Sequence, residues 1–280
     1  MFMKKFITVL SLILVTGVGL LLLFNIRQKT EPIQTGRTYH APTLFVHGYG
    51  GNYGSEKNMI AALSQHSEFK QVLNYTIAPD GKLTTSGTWD PDIKYPIIAI
   101  VFKDGKPDDT QLNQVLIDLK KDYKISSFNA VGHSAGANAW VNWAVTADKD
   151  KTPELAKLVT LAGPFNGFRG MGGQHDGKPL TLDKDGKPSF MVDFYQAMYE
   201  NRAYFPENTR ILNIFGDIGD GSDGVVPVNS SRSLNYLVEN KAKSYTEKKI
   251  TNNKAQHSKL HQRNPLVDQY LYDFLTGDLQ

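Results

Sequence analysis

From about residue 38 onward, short apolar runs alternate with stretches whose apolar residues recur at helical spacing. Such alternation predicts a mainly parallel sheet covered by helices on both faces, an α/β architecture. Thr43-Leu44-Phe45-Val46 is the first strand, followed by a short helical pattern over Asn58 to Gln65. Gln71 to Ile77 and Lys82 to Thr85 flank Asp80-Gly81, a turn pair that closes a hairpin. Tyr95 to Phe102 is the next strand. Leu112, Val115, Leu116, Leu119 and Tyr123 mark one stripe of a helix leading into a further apolar run, Phe128 to Val131. Leu155 to Ala162, Arg210 to Gly216 and Lys243 to Thr251 read as later strands. A last helix carries Val267, Tyr270, Leu271, Phe274 and Leu275 at helical spacing.

Between Ala162 and Arg210 the simple alternation stops. Gly170 to Gly177 is glycine-rich, Asp183 to Gly186 is a turn, and Phe190 to Tyr204 carries aromatics with Met191 and Met198 in a helical pattern. This is where a small cap, over 165–207, would be inserted into the one domain expected for residues 32–280. Phe165, Phe168 and Phe194 are its candidates for an acyl-binding wall, with Phe190, Tyr195 and Met198 in the same stretch.

The most informative segment is Gly132-His133-Ser134-Ala135-Gly136, a G-x-S-x-G pentapeptide between an apolar strand and a helix expected over Ala137 to Thr146. In such an elbow the serine sits in a strained turn above the helix N-terminus, where unpaired N–H groups and a partial positive charge stabilise an oxyanion. A serine hydroxyl is a poor nucleophile near neutral pH and needs a histidine base, itself oriented by a carboxylate. In this arrangement the chain order is serine, acid, histidine.

Both partners are present downstream in that order. The strand Arg210 to Gly216 runs into a loop with three aspartates, Asp217, Asp220 and Asp223. Asp223 is favoured, since Asp223-Gly224-Val225-Val226-Pro227 before a Ser-rich helix start resembles the acid loop of bacterial lipases. For the base, His257 follows the predicted strand Lys243 to Thr251 and its short loop. His261 lies nearer the last helix, where an exposed or capping histidine is expected. Upstream, His47-Gly48-Tyr49-Gly50-Gly51 follows the first strand, so the backbone amides of Tyr49 and Ala135 are the expected oxyanion donors. His47 and His133 read as packing and hydrogen-bonding residues around the elbow. No His-Glu-x-x-His or paired-cysteine pattern occurs, so neither a metal nor another cofactor is expected.

Together, Leu44 to Gly51, Val131 to Gly136, Ala162 to Gly167, Asp220 to Pro227 and Ala255 to His261 resemble the membrane-anchored cell-surface α/β-hydrolases of Gram-positive bacteria, a lipase-like group. The resemblance spans essentially the whole globular region. It implies an α/β-hydrolase fold, with Ser134, Asp223 and His257 in the triad roles. Ala135 stands where methionine is more usual, a change that bears on pocket width because the expected donor is a backbone amide.

Charge and the N-terminus bear on location and partners. Phe6 to Phe24 is nineteen residues without a charge, preceded by Lys4 and Lys5. At about 1.5 Å per residue this nearly matches a hydrocarbon core of roughly 30 Å. The expectation is an uncleaved signal anchor within residues 1–31 that holds the catalytic domain outside the cell membrane, with secretion after cleavage as the alternative. Setting aside residues 1–31 removes Lys4, Lys5, Arg27, Lys29 and Glu31 and leaves 27 basic and 27 acidic side chains. A globular part so balanced gives no charge-based case for nucleic-acid binding. The expected partner is a small-molecule or lipid ester, cleaved by a serine hydrolase. An amidase, peptidase or acyltransferase with the same triad, or a catalytically weak surface binding protein, is the alternative.

Overall fold

The computed structural model describes residues 41–171, 178–277 and 279. The strands are β1 Thr43–Val46, β2 Phe69–Ile77, β3 Leu83–Gly87, β4 Tyr95–Phe102, β5 Ser127–His133, β6 Glu154–Leu161, β7 Arg210–Gly216 and β8 Ser244–Ile250. They form an eight-stranded sheet in the order β3-β2-β4-β1-β5-β6-β7-β8. All neighbours run parallel except β3, which returns antiparallel to β2 across the turn at Gly81. The helices are α1 Tyr53–Leu63, α2 Asp109–Asp122, α3 Ala135–Thr146, α4 Asp193–Glu200, α5 Val228–Val238 and α6 Pro265–Thr276.

The period-two alternation of strand residues sorts the core into two layers. Leu44, Val46, Ile98 and Ile100 face one side, where they pack with Leu112 of α2, Trp140 of α3 and Leu234 of α5. Phe45, Ile97, Ala99 and Val131 face the other, against Met59 of α1 and Leu271 of α6. Burying both faces is why these strands are almost continuously apolar. The strand order turns around at β1, which has β4 on one side and β5 on the other. Open α/β sheets bind ligands beyond the carboxyl ends of strands at such a point.

Helix α1 begins five residues before the expected Asn58. Asn52 caps it, its side chain accepting from the Gly54 amide at 2.7 Å, while Ser55 Oγ accepts from the Asn52 amide at 3.3 Å. This reciprocal cap is a local polar pattern, invisible to a search for apolar stripes. Between β6 and β7, the excursion carries α4 and a short 3-10 turn, Arg202–Tyr204. Asn166 fastens it to the body. Its amide N–H donates to Ser230 Oγ, its side chain donates to the Phe190 carbonyl at 2.7 Å, and Val192 N donates to its Oδ1 at 2.9 Å.

The expected cell-membrane location is corrected. Among the described residues no helix is long and apolar enough to cross a membrane. The stretch Phe6 to Phe24, on which that expectation rested, lies outside the described residues.

One buried acid in α1 has a measurable effect on stability. Glu56 is 2% exposed, and neither carboxyl oxygen has a hydrogen-bond partner among the described residues. Desolvation raises its pKa from 4.5 to about 8, so the folded protein holds it protonated at neutral pH. Below pH 4.5 both folded and unfolded chains carry the proton. Between pH 4.5 and about 8 the unfolded chain has lost it and the folded one has not. Stability therefore falls by about 1.4 kcal/mol per pH unit across that window, and levels off above it. Glu56→Gln is expected to remove this decline. Denaturant unfolding at pH 5 and pH 8 should show the variant gaining on the parent as pH rises; an equal difference at both values would refute the assignment.

Candidate active site

At the carboxyl end of β5 the chain turns into α3 within one residue. Ser134 has φ 53° and ψ −118°, a combination that a residue with a Cβ adopts only when its surroundings impose it. The glycines on either side permit this. A Cβ on Gly132 would lie 2.6 Å from the Gly136 backbone, and one on Gly136 would lie 2.5 Å from the His47 carbonyl oxygen. Strand, helix and the loop after β1 therefore touch at the backbone, with the Ser134 side chain left standing above them.

Three side chains from distant parts of the sequence meet here. The Ser134 hydroxyl donates to His257 Nε2 across 3.0 Å, and His257 Nδ1 donates to Asp223 Oδ2 across 2.8 Å. Asp223, 1% exposed, has its other carboxyl oxygen Oδ1 held by the amides of Val225 at 2.9 Å and Val226 at 2.7 Å. The His257 amide donates to the Asp223 carbonyl at 2.9 Å, which ties the two loops together at the backbone as well. With Nδ1–H directed at the carboxylate, Nε2 presents a lone pair to the serine.

The competing residues are occupied elsewhere. Asp217 Oδ1 accepts from the Gly219 and Gly221 amides, contacts that together with Lys249 hold its carboxyl below the usual range. Asp220 accepts from Ser222 and pairs with Arg169 at 2.9 Å, which lowers its pKa likewise. His261 differs from expectation: at 5% exposure it is buried, and its Nδ1 donates to the Ser55 carbonyl at 2.7 Å. Its ring lies 4.2 Å from that of His133, filling the space between α1 and the elbow. His133 in turn donates from Nε2 to the His257 carbonyl at 3.2 Å, and burial, with its histidine neighbours, holds it neutral. His47 accepts from the Phe102 amide through Nε2 at 3.0 Å and is also held below the usual pKa, chiefly by burial.

Ala135 is the first residue of α3, so its amide has no acceptor within the helix. In the loop after β1, the Gly50 amide donates to Gly105 and the Gly51 amide to Gly48, while Tyr49 lines the cavity above Ser134. A Cβ on Gly48 would lie 3.0 Å from Ser134 Cβ, which measures how closely this loop approaches the serine.

A cavity of about 850 Å³ opens over Ser134 and His257. Phe168, Phe194 and Met198 from the excursion form part of its wall, together with Pro164, Val225 and Val226. Phe165 does not belong to it, contrary to expectation. It is fully buried, its ring folded back so that a Cβ on Gly163 would lie 2.3 Å from it. Tyr195 is likewise internal, its hydroxyl donating to the Ser233 carbonyl at 2.8 Å. Among the described residues no three histidine, aspartate or glutamate side chains gather as a metal site.

Residues 30–278 match the family described as alpha/beta hydrolase of unknown function, DUF915. The chain belongs to that family. It is similar to the lin2722 gene product of Listeria innocua, with 26% identity and a TM-score of 0.73 over 84% of this chain and 94% of that one. It shares its fold with a proposed cell surface hydrolase of Lactobacillus plantarum WCFS1, with 23% identity and a TM-score of 0.69 over 87% and 94% of the two chains. No curated protein matches significantly. The eight-stranded, mostly parallel sheet flanked by helices is that of an α/β-hydrolase.

Several lining residues escaped sequence reasoning. Asn138, Ala139 and Asn142 line the cavity from the same face of α3 as Ala135, and their spacing of three, four and seven residues from it was available as a signal. Pro107, Asp108 and Asp109 come from the start of α2, and nothing in their own neighbourhood announces that the fold carries them to the elbow.

Proposed function

We propose that this protein hydrolyses carboxylic esters through an acyl-enzyme formed on Ser134. The observation that carries the reading is the unbroken hydrogen-bond chain Ser134, His257, Asp223 at the floor of a cavity with an apolar wall. In the first step His257 Nε2 takes the hydroxyl proton as Ser134 Oγ attacks the ester carbonyl, and Asp223 stabilises the imidazolium that forms. The negative charge on the former carbonyl oxygen is placed against the Tyr49 and Ala135 amides at the positive end of α3. The bond to the alcohol oxygen then breaks, and His257 returns the proton to the departing alcohol. A water, deprotonated by the same nitrogen, attacks the acyl carbon; acid leaves, and Ser134 recovers its proton.

Removal of one oxyanion donor typically costs about a hundredfold or more in turnover. Tyr49 is 75% exposed, and its contribution to the oxyanion hole in this reading comes from the backbone amide. Amides could be cleaved by the same parts, but an alcohol leaves a tetrahedral intermediate more readily than an amine. The test is turnover of p-nitrophenyl butyrate against its p-nitroanilide counterpart at equal concentration. A strong preference for the ester is expected; faster cleavage of the anilide would overturn the ester reading in favour of an amidase.

A further inference from the structure

The cavity is lined by apolar residues together with a few polar side chains that the chemistry just described does not employ. Along α3, Asn138 and Asn142 follow Ser134 at steps of four residues, so that they extend from the serine for about 12 Å at 1.5 Å per residue. Asp109 lines the same cavity from the start of α2. Asn113, one turn further along α2, accepts from Trp143 Nε1 at 3.0 Å, which sets the beginning of that helix beside the middle of α3. The Asn138 side-chain nitrogen donates to the Pro164 carbonyl at 3.2 Å, and its Oδ1 is buried with no hydrogen-bond partner among the described residues. Phe168, Phe194, Met198 and Val226 also line the cavity and offer no polar side-chain group.

We propose that the ester cleaved here joins an apolar acyl chain to a polyhydroxylated alcohol, a glycosyl or glyceryl unit. This rests on the ester-hydrolase reading and goes beyond it by naming the leaving group. The acyl chain lies along the aromatic wall of the excursion. The alcohol lies along Asp109, Asn138 and Asn142, where the carboxylate accepts from hydroxyls and the amides both accept from and donate to them. When the acyl-enzyme forms, the polyol departs intact with the proton carried by His257, and hydrolysis by water returns the free fatty acid. A site that offers hydrogen bonds to a hydroxylated group discriminates against an analogue lacking one, because its own polar groups are then left unpaired in the complex.

The experiment compares three octanoyl esters: 6-O-octanoyl glucose, 1-monooctanoyl glycerol and methyl octanoate. For the parent, kcat/KM for at least one polyol ester is expected to exceed that for the methyl ester by tenfold or more, and the better of the two identifies the unit. In Asn142→Ala and Asp109→Ala that ratio is expected to fall at least fivefold, mainly through KM for the polyol ester. Among the described residues neither side chain makes a hydrogen bond, so thermal unfolding of both variants serves as the check on folding. Equal turnover of all three esters by the parent would overturn this inference and leave the ester reading standing. An unchanged ratio in both variants would overturn the placement of the alcohol. Failure to turn over any of the three, or p-nitrophenyl butyrate, would overturn the ester reading and this inference with it.

Discussion

Ser134→Ala is expected to lower turnover of p-nitrophenyl butyrate by about 10⁶-fold, while leaving the fold intact. The alanine deletes one oxygen that stands above the backbone and donates one hydrogen bond, to His257. Without it no acyl-enzyme can form, and what remains is whatever the oxyanion donors and binding alone provide. In other serine hydrolases that residue of activity is about 10³ to 10⁴ over water, against a loss of about 10⁶ in turnover. The backbone strain at φ 53° is retained, since alanine carries the same Cβ, so the change tests chemistry and not the elbow. Circular dichroism and thermal unfolding matching the parent would establish this. Turnover reduced by less than tenfold in the variant would place the nucleophile elsewhere.

Asp223→Asn is expected to lower turnover about 10⁴-fold, as the corresponding change does in other Ser-His-Asp enzymes. Two hydrogen-bond systems meet on this carboxylate. Its Oδ1 accepts from the Val225 and Val226 amides, and its Oδ2 accepts from His257 Nδ1. An asparagine satisfies the first pair with its carbonyl oxygen, which leaves its NH₂ facing the imidazole. That donor requires Nδ1 to be unprotonated. The proton then sits on Nε2, facing Ser134, and the base can no longer take the serine's hydrogen. Asp217→Asn and Asp220→Asn, whose carboxylates bond to their own loop and to Lys249 or Arg169, are expected to change turnover by no more than a few-fold. A loss at Asp217 or Asp220 as large as that at Asp223 would reassign the orienting acid.

The sequence was legible where a short segment carries its own physical signature. Buried parallel strands need apolar residues on both faces, so β1, β4, β5 and β7 stand out as apolar runs. The elbow is legible because close approach of strand, helix and loop requires Gly132 and Gly136 at fixed distances from the serine. The order of acid and histidine along the chain then narrowed the choice. Asp223, Asp217 and Asp220 share one loop and one residue type, and only the path of that loop decides which carboxylate faces the imidazole.

What was not legible depends on contacts between segments far apart in the chain. Phe165 and Phe168 are neighbours with the same side chain, yet one is fully buried and the other 40% exposed at the cavity. The direction of the turn after Gly163-Pro164 separates them, and no periodicity reports it. An exposed or capping His261 is the expectation from its nearness to the last helix; its burial comes from α1 and His133, which arrive from more than 120 residues away. The start of α1 was missed because its cap is polar, and Asp109 because its role depends on where α2 is set against α3.

The most direct measurement is covalent. The intact protein is treated with a fluorophosphonate probe, digested, and the modified peptide is sequenced by mass spectrometry. The account predicts one adduct, on the oxygen of Ser134, absent from Ser134→Ala and strongly slowed in Asp223→Asn. An adduct on a different residue, or labelling that survives in Ser134→Ala, would contradict it.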